Sequence, residues 1–147
     1  MIPPHTVRLE FNSAFDMLDF VQVVSDRVGA LAGLDDDTIH WVGVSVRESV
    51  INAIKHGNKL DRDKQVVVEF AFVPLDVPSS LVITVLDEGD GFESDTVADP
   101  LAPENVLKAS GRGIFFMRNF MDDVQLRKLP EGGMEVRMRK RLSAPAA

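Results

Sequence analysis

Residues 47–57 read Arg-Glu-Ser-Val-Ile-Asn-Ala-Ile-Lys-His-Gly, and the rest of the sequence is organised around this stretch. At about 100° per residue on a helix, its side chains divide into two faces. Roughly a third of the circumference holds the polar set, which comprises Glu48, Asn52, Lys55 and His56. The apolar side chains of this stretch and of the residues before it fall on the other side and comprise Ile39, Val46, Val50, Ala53 and Ile54. The stretch therefore predicts a helix with a core face and a polar face.

The polar face suits phosphate and metal chemistry. Glu48 can accept a proton and the amide oxygen of Asn52 can ligate a hard cation, while Lys55 and His56 can meet phosphate oxygens. An ordinary amphipathic helix with four outward polar residues is the alternative. The stretch alone does not decide between the two.

The composition narrows the functional classes. A chain of 147 residues with 45% hydrophobic and 27% charged residues predicts one globular domain over 1–147. Its net charge of −7 argues against nucleic acid, which needs a basic face, and the basic residues at 137–141 are expected on the outer face and end of a last strand. There is no cysteine for a disulfide or a thiolate site. No apolar run approaches about 18 residues, so we expect no membrane association and a cytoplasmic location.

Hydrophobic periodicity places the secondary structure along the chain. The helix that carries the opening stretch is expected to start at Asp35 and to end near Lys55, with Gly57 as a left-handed stop. Ser13 is expected to cap the preceding helix. The other predicted elements are strands at 5–11, 65–73 and 80–87, a helix at 14–32, a helix opened by Gly111-Arg112-Gly113 that runs to about Met121, and a hairpin of 123–128 with 134–141.

These elements predict an α+β two-layer sandwich with a core of about 5–141. Its sheet is mixed but mostly antiparallel, with helices on one face. The segment 88–110 is rich in Asp, Pro, Gly and Glu and shows no sustained period. A loop of this length in a compact domain is usually functional or mobile.

A first glycine motif follows the third strand, in Asp87-Glu88-Gly89-Asp90-Gly91. Asp87 continues the parity of the apolar core positions, and an ionised carboxylate there needs a partner. It could accept a hydrogen bond from the exocyclic amine of adenine, while the glycines let a ligand approach the backbone. A common Asp/Gly-rich turn is the alternative.

A second motif, Ser110-Gly111-Arg112-Gly113-Ile114, leads into the helix that runs to about Met121. Free N–H groups at a helix N-terminus attract anions, and Arg112 adds a guanidinium. Alone this is a weak Gly-x-Gly signal. It is not a Walker loop, because the chain has no Gly-Lys-Ser or Gly-Lys-Thr.

Taken in order, the motifs resemble the three nucleotide boxes of the GHKL superfamily of gyrase, histidine kinases and MutL, with its Bergerat fold. The sequence is most similar to the anti-sigma-factor serine-kinase branch, the RsbW/SpoIIAB type. That similarity rests on Glu48-Ser-Val-Ile-Asn52-Ala-Ile-Lys-His56-Gly and on Gly-Arg-Gly-Ile-Phe-Phe-Met-Arg-Asn-Phe-Met-Asp-Asp-Val at 111–124. It covers about residues 5–141.

The resemblance implies ATP and Mg²⁺ as cofactors. Asn52 would ligate the Mg²⁺ that bridges the phosphates, Asp87 would bind the adenine amine, and Glu48 would act as general base on the attacking hydroxyl. The other implied cofactor-binding residues are Lys55 and His56 on the phosphate side, Gly89 and Gly91 at the adenine end, and Gly111, Arg112 and Gly113 at the base of a mobile ATP lid over about 92–110. One departure stands out, since Met134 occupies a position where many relatives carry a threonine facing the adenine.

The resemblance implies a regulatory ATP-dependent protein serine/threonine kinase. Its partners would be a STAS-type anti-anti-sigma protein, which it phosphorylates, and a sigma factor, and it allows a homodimer. A nucleotide-dependent binding switch without kinase activity is the alternative. An ATPase fragment of gyrase or MutL type is disfavoured because those enzymes use a second domain, and a phosphohistidine kinase because no dimerising helical region precedes the domain.

Overall fold

The computed structural model describes residues 6–74, 78–89 and 113–142, with side chains from Met117 onward in the last range. Eight main elements follow one another along these ranges. They are β1 (Thr6–Asn12), α1 (Leu18–Leu31), α2 (Asp36–Asn52), β2 (Gln65–Val73), β3 (Ser80–Leu86), α3 (Gly113–Phe120), β4 (Asp123–Lys128) and β5 (Met134–Arg141).

The strands form one five-stranded sheet in the order β1-β2-β3-β5-β4. Every pairing between neighbours in this sheet is antiparallel, with Val68 opposite Val85 and Val85 in turn opposite Val136. The predicted hairpins 65–87 and 123–141 are confirmed. The α+β fold is confirmed as well, and within the described residues the sheet is antiparallel throughout rather than mixed.

The two faces of the sheet differ in burial. On β2, Val66, Val68, Phe70 and Phe72 are buried while the residues between them stay partly exposed, as expected when side chains alternate across a strand. The buried side chains form a single core cluster with apolar residues of the three helices, which therefore cover this face. The basic side chains of Arg137 and Arg141 are exposed on the outer face, as the sequence predicts. For Lys140 the prediction is wrong, because its ammonium group lies on the helix side and donates to the Phe120 carbonyl.

The two ends of helix α2 differ in structure, and the C-terminal end differs from the prediction. The Asp35 carboxylate accepts a hydrogen bond from the Thr38 N–H at 2.7 Å, which caps the first turn and lowers the pKa of Asp35. At the other end α2 passes into a π-helical turn over Ala53–Gly57, closed by a hydrogen bond from Asn58 N to Ala53 O at 2.7 Å. The predicted left-handed stop at Gly57 is wrong, because the wider turn keeps this residue helical. The chain reverses at Lys59 and Leu60 instead, with φ of 52° and 64°.

Ser13 does not cap the first helix. Its N–H and its hydroxyl both donate to the Lys64 carbonyl, at 3.0 and 2.9 Å, which pins the end of β1 to the chain just before β2. The helical segment opens instead with a 3₁₀ turn at Phe15–Met17 that has no side-chain cap. The sequence pattern for a cap was present, but a tertiary contact uses the same hydroxyl.

Helices α1 and α2 pack closely through two glycines. A methyl group on Gly29 would meet Ile39, and one on Gly43 would collide with the side-chain amide of Gln22. Near this interface Ser25 is buried, and its hydroxyl has no hydrogen-bond partner in the described structure. A buried hydroxyl without a partner lowers stability, since it gave up its bonds to water.

We therefore expect Ser25→Ala to raise the free energy of unfolding by about 1 kcal/mol, because alanine removes the unpaired hydroxyl and favours the helix. Ser45→Ala is the matched control, since the Ser45 hydroxyl donates to the Trp41 carbonyl at 3.0 Å and its loss should give no gain. Urea unfolding midpoints of the two variants test the difference. Equal or lower stability of Ser25→Ala would mean that its hydroxyl has a partner in solution.

A search of the described helices for membrane spans found none that combines sufficient length with sufficient apolar character.

Candidate nucleotide site

Asp87 lies at the point where β3 ends, with its carboxylate on the helix side of the sheet. The residue is 8% exposed. Its Oδ1 accepts hydrogen bonds from the Gly89 N–H at 3.0 Å and the Met134 N–H at 3.1 Å. Its own N–H donates to the Met134 carbonyl at 3.1 Å, so the start of β5 holds both the backbone and the side chain. The predicted core-side position of Asp87 is confirmed.

Three glycines surround this carboxylate. A methyl group on Gly57 would collide with Oδ2 of Asp87. One on Gly133 would collide with the backbone carbonyl of Asp87. A methyl group on Gly89 would collide with the carbonyl of Gly57. Gly133 also has a φ of 94°, which favours glycine on its own account. The end of α2, the end of β3 and the start of β5 therefore meet at a point where no other residue fits.

Burial governs the protonation of Asp87. Loss of water around the carboxylate raises its pKa above the ordinary value, while the hydrogen bonds from Gly89 and Met134 act in the opposite direction. Because both backbone donors go to Oδ1, Oδ2 is the oxygen left for a ligand on the side of Gly57. The arrangement leaves one oxygen of a buried carboxylate without a hydrogen bond from the described residues.

The polar face of α2 leads up to this point. Glu48 and Asn52 are half-buried and lie one turn apart on the same face of the helix. Lys55 and His56 are exposed on the π-helical turn, just before Gly57 touches Asp87. In the described part of the chain, no hydrogen bond or ion pair occupies the side chains of these four residues. The structure thus brings the polar face and the buried carboxylate to the same end of α2.

Helix α3 begins at Gly113 and packs against α2. At its other end the ring of Phe120 stacks on Trp41 with 4.2 Å between ring centroids, and the Lys140 ammonium group donates to the Phe120 carbonyl at 3.0 Å. A cation at a helix C-terminus is favourable. Met117 and Met121 are buried, as expected for packing residues. These contacts fix α3 beside the first turns of α2.

Several predicted site residues lie outside the described residues. These are Gly91, Gly111, Arg112 and the proposed lid at about 92–110. Their roles stay predictions. Of the second glycine motif, the structure describes the backbone of Gly113, where α3 begins.

A separate groove of about 540 Å³ opens on the outer face of the sheet beneath the β4–β5 turn. Its walls include Val67, Leu86, Pro130 and the acidic Glu10 and Glu131. Asp87 also lines this groove, although its carboxylate is buried on the helix side of the sheet. The groove and the polar face of α2 therefore lie on opposite faces of the sheet.

Asn58 is a residue of the site region that the sequence did not reveal. It is fully buried, and its side-chain amide donates to Ser13 Oγ at 2.7 Å and to the Gln65 carbonyl at 3.0 Å. Its Oδ1 accepts from the Glu88 N–H at 2.8 Å. Asn58 thereby joins the ends of β1 and β3 to the start of β2, directly behind Asp87. An asparagine after a helix is so common that its position alone gave no signal.

Asn58→Ala should lower the free energy of unfolding by about 2 kcal/mol, since it removes the buried hydrogen bond to Ser13 and the part-buried ones to Gln65 and Glu88. Asn12→Ala is the control in the same region, because Asn12 bonds the Arg62 carbonyl from an exposed position. In chemical denaturation, the unfolding midpoint of Asn58→Ala should lie well below that of Asn12→Ala. Equal midpoints for the two variants would contradict a structural role for Asn58.

The donor set fits a magnesium ion bound mainly through a nucleotide. Within the ranges the structure describes, no group of three or more acidic or histidine side chains could hold a metal by itself. Mg²⁺ usually keeps several waters and binds through one or two protein oxygens plus substrate phosphates. The half-buried Asn52 supplies one such oxygen. Oδ2 of the buried Asp87, which accepts no hydrogen bond from the described residues, likewise suits the amine of a purine.

Comparison with known families decides the classification. The sequence profile of the histidine kinase-like ATPase domain matches residues 15–140. The chain belongs to this family. The GHKL resemblance inferred from the motifs is thereby confirmed.

Relatives of this histidine kinase-like ATPase domain include serine-protein kinase RsbW of Staphylococcus aureus strains bovine RF122 / ET3-1 and MRSA252. Each is 26% identical over 140 residues, which cover 91% of this chain and 85% of the relative. The fold is similar to a crystal structure of the RsbU and RsbW domains of Rv1364c from Mycobacterium tuberculosis, with a TM-score of 0.67 and 19% identity. That match covers 98% of this chain and 34% of the other. The predicted likeness to RsbW is confirmed.

Proposed function

We propose that this domain is an ATP-dependent protein serine/threonine kinase of anti-sigma-factor type, which phosphorylates a STAS-domain antagonist in a partner-switching circuit. The observation that carries the proposal is the buried Asp87 carboxylate in its glycine cradle, placed at the end of the helix that bears Glu48 and Asn52. Similarity to serine-protein kinases named RsbW supports the same activity.

Asp87 is proposed to select adenine. Its Oδ2 would accept a hydrogen bond from the exocyclic amine, while Oδ1 stays bound to Gly89 and Met134. The missing side chains of Gly57 and Gly89 let the end of α2 and the end of β3 pack directly against each other beside this oxygen. Gly91 would continue this adenine-side wall.

The phosphates are proposed to extend from this pocket along the polar face of α2. Asn52 would supply an oxygen to Mg²⁺, and Lys55 and His56 would approach phosphate oxygens from the exposed turn. Gly111, Arg112 and Gly113 would hold the phosphates at the start of α3. When bound, ATP supplies the phosphoryl group and Mg²⁺ neutralises its charge.

Glu48 is proposed as the general base. It lies one turn before Asn52 on the same face, so its carboxylate sits on the phosphate side of the proposed site. There it would orient the hydroxyl of the acceptor serine and take its proton as that oxygen bonds to the γ-phosphorus of ATP and ADP leaves. A carboxylate suits this task better than an amide, because only the carboxylate accepts a proton.

The test is transfer of label from γ-labelled ATP to a candidate STAS-domain protein in the presence of Mg²⁺. A STAS protein encoded near this chain is the preferred substrate, and the same protein with its acceptor serine replaced by alanine is the control. Label on the first and none on the second supports the proposal. Tight ATP binding without transfer would overturn the kinase and favour a nucleotide-dependent binding switch, with a sigma factor or the STAS protein as the bound partner.

A further inference from the structure

Within the described residues, the hydrogen bonds to the Asp87 carboxylate come from backbone groups alone, the N–H groups of Gly89 and Met134. Gly57 and Gly133 pack against the same residue. Three of these four residues have no side chain, and the thioether of Met134 carries no hydrogen to donate. None of the four therefore offers a side-chain donor to a base.

Two of the nearby backbone donors are already engaged. The N–H groups of Gly89 and Met134 both point at Oδ1 of Asp87. Met134 lies opposite Asp87 at the start of β5, so its side chain stands on the same face of the sheet, and it is 9% exposed. An apolar thioether side chain thus stands on the same face of the sheet as the carboxylate, where a polar side chain would reach a neighbouring atom of the ligand.

We propose that this site recognises adenine by its exocyclic amine alone and leaves the adjacent ring nitrogen N1 without a side-chain partner, with Met134 as the residue that sets this specificity. The inference rests on the proposed ATP site. The ribose leaves the base from the five-membered ring, so the far edge of the six-membered ring, with the amine and N1, enters the cradle first. The amine meets Asp87, and N1 faces the Met134 side chain.

The physical consequence concerns the cost of burying N1. An acceptor that loses water and gains no partner weakens binding, whereas an apolar atom of the same shape in its place does not. Replacing N1 by a C–H group should therefore leave affinity unchanged or improve it. Removing the amine should weaken binding, because a buried carboxylate oxygen then loses its donor.

The experiment compares three nucleotides by calorimetry on the full chain: ATP, 1-deaza-ATP and purine riboside triphosphate, which lacks the amine. We expect 1-deaza-ATP to bind within about threefold of ATP, and the amine-free analogue to bind at least about tenfold more weakly. Met134→Thr should introduce a hydroxyl that donates to N1. In that variant ATP should gain at least about fivefold over 1-deaza-ATP.

Met134→Leu serves as the matched control, since it changes shape but adds no donor. Its ratio of affinities for ATP and 1-deaza-ATP should equal that of the unaltered chain. A preference for ATP over 1-deaza-ATP of about tenfold in the unaltered chain would overturn the inference, because another group would then read N1. An unchanged ratio in a folded Met134→Thr would overturn the assignment to Met134.

The outcomes also separate this inference from the proposed function. If none of the three nucleotides binds, the proposed ATP site is wrong and the inference falls with it. If ATP binds about tenfold more tightly than 1-deaza-ATP, the ATP site stands and only the inference is overturned. The comparison on the unaltered chain keeps the test valid even where a variant fails to fold.

Discussion

Glu48→Gln should bind ATP nearly as well as the unaltered chain and phosphorylate the STAS-domain antagonist at least ~100-fold more slowly. Glutamine keeps the shape and helix propensity of glutamate but cannot take a proton. A positioned general base typically contributes 10²–10⁴-fold, roughly, to a rate. Single-turnover transfer rates at saturating ATP, measured beside ATP affinities, report the two properties separately.

Asn52→Ala gives the contrasting result on the same helix face. It deletes a metal ligand, so Mg²⁺-dependent ATP binding and turnover should fall together. Asp37→Asn is a suitable control for charge on α2, since Asp37 lies exposed in the first turn, far from the proposed site. Transfer at the unaltered rate by Glu48→Gln would falsify the base assignment. Loss of ATP affinity without a rate defect at saturation would make Glu48 a ligand instead.

Asp87→Asn should reduce ATP affinity by about tenfold to a hundredfold. The two backbone donors, Gly89 N–H and Met134 N–H, require an acceptor at the position of Oδ1, so the amide oxygen must sit there. The amide nitrogen is then forced into the place of Oδ2, where it opposes the adenine amine. Calorimetry on the folded variant measures the loss, and Glu88→Gln, at the exposed neighbour, is the control.

The same substitution should not weaken the fold at neutral pH. Because burial raises the pKa of Asp87, the folded protein binds this proton more tightly than the unfolded chain does. The group therefore contributes stability below its unfolded pKa and loses that contribution as pH rises through its folded pKa. Above that range the ionised Asp87 lowers stability, so Asp87→Asn should unfold at the same temperature as the unaltered chain or higher. ATP affinity of the unaltered chain should fall on acidification through the folded pKa. Clear thermal destabilisation of Asp87→Asn at neutral pH would contradict this account.

The sheet was predictable from the sequence because its physical cause is local. In β2 the alternation of buried and exposed residues shows which face of the sheet is buried. At the end of β3, Asp87 continues the alternation of the buried Ile83 and Val85, which places it on the same face. The helix with Glu48 and Asn52 was predictable for the same reason, since the helical spacing of its apolar and polar residues can be seen within one continuous segment.

The features that escaped prediction depend on contacts between distant parts of the chain. Ser13 has the pattern of a cap, but the Lys64 carbonyl and Asn58 use its hydroxyl. Gly57 has the pattern of a helix stop, but it stays helical and lies against Asp87. Gly133 belongs to a hairpin turn in sequence, and only the pairing of β3 with β5 brings it to the carboxylate. None of these partners lies within one turn or one strand of the residue concerned.

The stack between Trp41 and Phe120 gives this protein an intrinsic optical signal. Trp41 is the single tryptophan in 147 residues, so its emission has one source. It is 36% exposed and lies face to face with the last residue of α3, whose first residue is Gly113 of the proposed phosphate loop. Any shift of α3 relative to α2 alters the solvent and the ring next to the indole. Nucleotide titrations can therefore be followed by tryptophan emission without a label, and Phe120→Leu identifies the part of the signal that comes from the stack.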